Sequence, residues 1–198
     1  MALIFTPLMK KRLTRRAQAM IERALCHFPE LNNQTIKVGY TRAHLGSASL
    51  DYRPGEETRL TIRLKVHKLT HQTIGHELTH LVQGLSRGHR RVKAPLGGDI
   101  PSGEKQCDIW TLARNPLFGD DPPSYLRLPR VVREHWSDYA EEVRRLCIAA
   151  IEKRQTYRRY IRWLEAEIKI ISETPPPEPL RPRQLFLPFA NSQARRVR

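Results

Sequence analysis

The sequence predicts an α+β fold: an N-terminal helix, a small three-stranded twisted sheet, two further helices, a long C-terminal helical extension and a tail. Three observations predict it. Between Ile36 and Lys65 apolar and polar residues alternate, the period of half-buried strands. On either side of that stretch apolar residues recur at steps of three and four, the period of amphipathic helices. From Thr174-Pro175-Pro176-Pro177 onward the chain is Pro-rich and largely polar, with too little apolar content to bury. The expected organisation is therefore a core over 1–130, a basic helical extension over 131–173, and a disordered tail over 174–198.

The elements follow in order. Thr6-Pro7 has the form of an N-cap and a first-turn proline. Leu13, Ala17, Met20, Ile21, Ala24, Leu25 and Phe28 then form one apolar stripe, so a single helix is expected to Pro29. Ile36, Val38 and Tyr40 mark one strand, Ala48–Arg53 a second, and Leu60, Ile62 and Leu64 a third after the Pro54-Gly55 turn signal. Leu69-Thr70 supplies a staple residue and an N-cap for a helix ending at Gly84. Ser102 is the expected cap of another helix, which ends at Arg114 before Asn115-Pro116. From Trp136 a stripe runs through Ala140, Val143, Cys147, Ala150, Tyr157, Ile161, Leu164, Ile168 and Ile171. That predicts one helix, about 50 Å long if continuous, or two with a break at 152–156.

Composition narrows the function. The chain has 198 residues, with 35 Lys+Arg against 20 Asp+Glu and a net charge of +15. Such a balance attracts polyanions, with nucleic acid ahead of an anionic membrane surface. Three widely spaced cysteines, Cys26, Cys107 and Cys147, argue against a disulfide framework and for a reducing compartment. No apolar run approaches the roughly 20 residues that cross a bilayer, and the short apolar start does not have the order of a signal peptide. A cytoplasmic protein with no membrane segment is expected.

His76-Glu77-Leu78-Thr79-His80 is an H-E-x-x-H sequence inside the expected helix. Four residues are a little over one turn, so His76 and His80 project from one face and can share one Zn²⁺. Glu77, one step round, reaches a metal-bound water rather than the metal. The other face, Ile74, Leu78, Leu81 and Val82, is apolar. A catalytic zinc needs a third protein ligand and an open position. His89 stands three places too late for the H-E-x-x-H-x-x-G-x-x-H pattern and is the rival third ligand. Glu104 and Asp108 stand at i and i+4 on the next helix. There Glu104 can ligate while Asp108 takes the second N–H of a liganding histidine. Cys107 lies between them, faces away from both, and is read as a core residue.

H-E-x-x-H followed by E-x-x-x-D on a second helix resembles the gluzincin metallopeptidases. The short sheet and the 23 residues between His80 and Glu104 resemble the minigluzincins. The resemblance covers residues 8–128 and implies a zincin-like core with one Zn²⁺ per chain. By it His76, His80 and Glu104 match the zinc ligands, Glu77 the general base and acid, and Asp108 the carboxylate behind a ligand. It further implies hydrolysis of a protein or peptide substrate laid along an edge strand, for which Leu60–Lys65 is the candidate. It also implies a Tyr or His that stabilises the tetrahedral intermediate, for which Tyr125 and His135 are candidates.

Outside the motif, Arg154, Arg158 and Arg162 form an i, i+4, i+8 ridge, and Arg87, His89, Arg90, Arg91 and Lys93 crowd the loop after the zinc helix. Both suit phosphate contact, without a sequence-reading signature. In the tail, Gln184-Leu185-Phe186-Leu187-Pro188-Phe189 resembles the Q-L-x-L-P-[LF] peptides that dock bacterial proteins on the replication sliding clamp. Gln184, Leu185, Leu187 and Phe189 would make the contacts; docking back on the chain's own core is the competing reading. The leading expectation is a zinc peptidase, with DNA-associated proteins as one substrate class. The alternative is a non-catalytic basic nucleic-acid-binding protein whose zinc site is structural or vestigial.

Overall fold

Ala2–Phe5 forms β1, hydrogen-bonded in parallel to β2, Thr35–Tyr40, in a computed structural model that describes residues 2–51, 58–87 and 99–173. A parallel pair requires a crossover, and two helices make it: α1, Pro7–Lys10, and α2, Arg15–Leu25. The single N-terminal helix expected from the stripe is thus two. The Thr6 hydroxyl accepts from Met9 N–H, and the Thr14 hydroxyl accepts from Ala17 N–H and restarts the helix. Ile21, Ala24, Leu25 and Phe28 are fully buried, as their spacing implies.

The sheet corrects the expected three-stranded meander. It has four strands in the order β1-β2-β4-β3, with β3 at Gly46–Asp51 and β4 at Arg59–Leu64. β2 and β4 are parallel, and β3 returns antiparallel to β4 on the outside. The strand expected at the edge, Leu60–Lys65, is therefore interior, and β3 is the edge. Alternation reports burial of one face, here Leu60, Ile62 and Leu64, and does not distinguish a central strand from an outer one.

α3, His71–Arg87, carries the H-E-x-x-H residues, with Ile74, Leu78, Leu81 and Val82 fully buried beneath them. Thr70 caps it, its hydroxyl accepting from Thr73 N–H at 3.2 Å. The helix runs three residues past the expected stop at Gly84. α4, Glu104–Arg114, starts behind Gly103 rather than behind a Ser102 cap. Gly103 holds φ at +118°, a conformation that favours glycine, and turns the chain so that Glu104 opens the helix.

Three more helices follow: α5, Arg130–Glu134; α6, Trp136–Lys153; and α7, Tyr160–Glu173. The long continuous helix does not form. An elbow at 154–159 turns α7 back onto α6, and α6 packs on α4. The Tyr160 hydroxyl bonds to Gln106 Oε1, and Lys105 pairs with Glu165, so the extension is fastened to the helix that carries Glu104. Val143, Cys147, Leu164 and Ile168 belong to the same buried cluster as the sheet residues. No helix among the described residues is long and apolar enough to cross a membrane. The Pro54-Gly55 turn, the loop with His89, Arg90, Arg91 and Lys93, and the 184–189 peptide lie outside the described residues.

Candidate metal centre and peptide groove

α3 and α4 lie side by side, and their facing turns build the site. His76 is buried and His80 half-buried, their rings 4.9 Å apart at 78°. Glu104, at the first turn of α4, places Oε2 3.0 Å from Nε2 of both imidazoles. The other ring nitrogen of each histidine is engaged behind. His76 Nδ1–H donates to Asp108 Oδ1 at 2.8 Å, and His80 Nδ1–H donates to Gln83 Oε1 at 3.2 Å. With both Nδ1 atoms donating, both Nε2 atoms present lone pairs. Two lone pairs and a carboxylate oxygen then converge without a donor among them, an arrangement that a divalent cation, or a proton on one of the rings, satisfies.

Asp108 is fully buried and receives four donors. Besides His76 these are Gln72 Nε2 at 3.2 Å, Tyr125 N–H at 2.7 Å and Leu126 N–H at 2.8 Å. One carboxylate therefore orients a candidate ligand and anchors the segment that brings Tyr125 to the site. The Tyr125 ring stacks on His76 at 5.3 Å and 20° while the residue stays half exposed. Burial, and the carboxylates of Glu104, Glu77 and Asp108, hold its phenol above the ordinary value. Burial opposes protonation of His76. The Asp108 hydrogen bond and charge, with Glu77 and Glu104, outweigh it and leave His76 raised.

Cys107 is a core residue, as expected, but it does not face away from the site. It is buried, but its Sγ lies 3.2 Å from His80 Nδ1. His76, His80 and Cys107 bring three donor atoms within 4.8 Å of one another, a group that could hold a metal ion. Two donor sets thus share the histidines, one completed by Glu104 on the Nε2 side and one by Cys107 on the Nδ1 side of His80.

Glu77 is 7% exposed and touches no candidate ligand atom in a hydrogen bond. Burial pushes its carboxyl up to about 7, His76 pulling it down and the Glu104 charge adding to the rise. It lies against Gly46 of β3. A Cβ there would sit 2.5 Å from Glu77 Oε1 and 2.7 Å from its Cγ, so any larger residue would displace the Glu77 side chain. Two cavities meet at Gly46, His76, Glu77 and Tyr125. One of about 600 Å³ runs along Gly46–Leu50 past His80, Gln83 and Glu104; one of about 210 Å³ runs the other way past His44, Gln72 and Ser124. Together they make a groove along the edge of β3 that no other strand covers among the described residues.

Of the sequence-predicted residues, His76, Glu77, His80, Glu104, Asp108 and Tyr125 come together. His135 does not: it is exposed at the α5–α6 junction and does not line the groove. Gln72, Gln83, Gly46 and the Cys107 contact were missed. Gln72 at i−4 from His76 and Gln83 at i+3 from His80 share the histidine face of α3, a spacing that marks them in retrospect. No protein-family model, curated protein or solved structure matches the chain.

Proposed function

We propose that the chain is a zinc-dependent peptidase with a zincin-like core, in which His76, His80 and Glu104 hold the ion and Glu77 is the general base. The observation that carries this reading is the convergence of Glu104 Oε2 on Nε2 of both histidines. Ligands of tetrahedral zinc stand about 3.3 Å apart, close to the 3.0 Å of each nitrogen–oxygen pair. A bound divalent ion supplies Lewis acidity toward a water and a peptide carbonyl. The protein does the rest. An extended peptide adds to the free edge of β3, its backbone paired along Gly46–Leu50 and its scissile bond at the junction of the two cavities. Glu77 takes the proton of the attacking water and passes it to the leaving amine. Asp108 holds His76 in the tautomer that leaves Nε2 free, and Gln83 does the same for His80. Tyr125, which stacks on His76 and lines both cavities, is the candidate to contact the developing charge on the carbonyl oxygen.

The second reading, a structural metal without catalysis, is favoured by the Cys107 contact. It requires the metal on Nδ1 of His80, displacing the Gln83 bond, or a turned ring. The Glu104 set uses atoms that already converge. Metal analysis separates the two. Glu104→Ala is expected to lose the ion and Cys107→Ser to keep one per chain; the reverse pattern favours the structural site. Cleavage of fluorescein-labelled casein is expected to stop with 1,10-phenanthroline and return with added Zn²⁺. Casein cut equally well by fully demetallated protein would overturn the peptidase assignment.

The close approach of β3 makes a separate prediction. Gly46→Ala displaces the Glu77 carboxylate without touching a ligand. Zinc content should be unchanged and kcat/KM on casein should fall about 10–100-fold, the scale on which small misplacements act. Unchanged kcat/KM would mean that Glu77 is not held by the strand.

A further inference from the structure

The ridge expected from Arg154, Arg158 and Arg162 is not a ridge. Arg154 caps α6, Arg158 lies in the elbow and Arg162 lies in α7, so the chain turns around a common point. Lys153, Arg154, Arg158, Arg159 and Arg162 fall within ten residues, and none pairs with a carboxylate among the described residues. Elsewhere the helices neutralise such charges, as Arg144 and Arg145 do on Glu141 and Glu142. Around the elbow the partners are aromatic instead. Lys153 Nζ lies 4.7 Å from the Trp163 ring and 5.8 Å from that of Tyr157, and the Arg154 guanidinium lies 5.6 Å from that of Trp110. Tyr157 itself is 43% exposed. Of these groups Arg154, Arg158 and Tyr157 line a polar cavity of about 430 Å³, with Pro101, Gln106 and Tyr160.

We infer that this elbow binds the backbone of single-stranded nucleic acid. Guanidinium groups with no carboxylate partner among the described residues suit phosphates, and an exposed ring between them suits an unstacked base. The span from Lys153 to Arg159 has no aliphatic residue to enter a bilayer, which disfavours an anionic membrane. The place matters as much as the charge. Pro101 lines the elbow cavity, and its carbonyl accepts from Gln83, the residue that orients His80. Gly103, two residues on from Pro101, lines the groove, so a protein carried on the bound strand would be brought to the side of the molecule that holds Glu77. That consequence rests on the peptidase reading; the binding does not.

The test is anisotropy of a fluorescein-labelled thymidine oligonucleotide of about twenty nucleotides, on the full chain carrying Glu77→Gln, so that cutting plays no part. Arg158→Ala/Arg159→Ala, both exposed, should weaken binding about 10-fold or more. The slope of log K on log salt should shrink by about 1.4, two phosphate contacts' worth. Tyr157→Ala should weaken binding about 10-fold with the slope unchanged. Lys10→Ala/Lys11→Ala removes the same charge from another basic segment and should change affinity by less than about 2-fold. An unchanged far-ultraviolet circular dichroism spectrum and urea midpoint confirm that each variant is folded. The inference is overturned if the elbow pair binds like its parent, or if the Lys10/Lys11 pair costs as much. It is also overturned if phosphatidylserine vesicles bind more tightly than the oligonucleotide through the same arginines.

Discussion

Glu77→Gln is expected to keep one zinc per chain and to lower kcat/KM on labelled casein by about 10²–10⁴-fold, the range over which a positioned base acts. The two halves of that expectation have separate structural causes. Metal retention follows because the candidate donor atoms belong to His76, His80 and Glu104 or Cys107, and Glu77 is none of them. Loss of activity follows from position. The carboxylate sits where the two lobes of the groove meet, under the edge of β3, and no other carboxylate among the described residues lines both lobes. Glutamine has the same shape, so it still fits against Gly46, but it cannot take a proton. Glu104 cannot substitute, because its Oε2 is committed to the histidine nitrogens. A Glu77→Gln protein that binds zinc and cuts casein within about 3-fold of the parent would remove the basis for a hydrolytic role. The metal would then be structural.

The residues that make the site were easier to read than the sheet that positions it. His76, His80, Glu104 and Asp108 obey helical spacing, which is local, and two helices side by side are enough to bring them together. Strand order is not local. β1 escaped because four residues at a chain start carry no alternation that separates a strand from an apolar end, and it is stabilised only by pairing with β2. β3 was half seen because Gly46-Ser47-Ala48-Ser49 is small and polar; its strand conformation comes from β4 on one side and α3 on the other. That same smallness leaves the groove open and lets Gly46 reach Glu77, so the feature that hid the strand is the one the site uses. The stripe from Trp136 to Ile171 is legible as apolar. A hairpin that turns back onto α6 and α4 buries it, Tyr157 apart, as a straight helix on a partner would, and periodicity does not choose between them. Cys107 is buried as a core residue, yet its place at i+3 from Glu104 leaves the side chain near enough to the α3 seam to reach the His80 ring, a contact that helical spacing alone does not reveal.

Asp108→Ala and Asp108→Asn should fail in different ways, and the difference tests what this carboxylate does. Its four donors come from two directions: His76 Nδ1 and Gln72 on Oδ1, and the backbone N–H groups of Tyr125 and Leu126 on Oδ2. Alanine removes every acceptor. Leu126 is buried, so its N–H is left without water or partner, and the 125–126 segment loses its anchor. The metal-free Asp108→Ala protein should be less stable than the metal-free parent by about 2–4 kcal/mol in urea unfolding, the cost of stranding one or two buried donors. Asparagine keeps one oxygen. If that oxygen serves the two backbone groups, the amide NH₂ faces His76 Nδ1, which must then accept, so the ring proton moves to Nε2 and blocks the metal. The expected result for Asp108→Asn is a protein destabilised by less than the alanine variant, with zinc affinity lowered about 10–100-fold, as when an orienting partner of a ligand is lost. Zinc titration against a competing chelator reads the affinity, and urea unfolding of the metal-free forms reads the stability. Parent-like zinc affinity in both variants would show that Asp108 secures the 125–126 segment alone and does not govern the tautomer of His76.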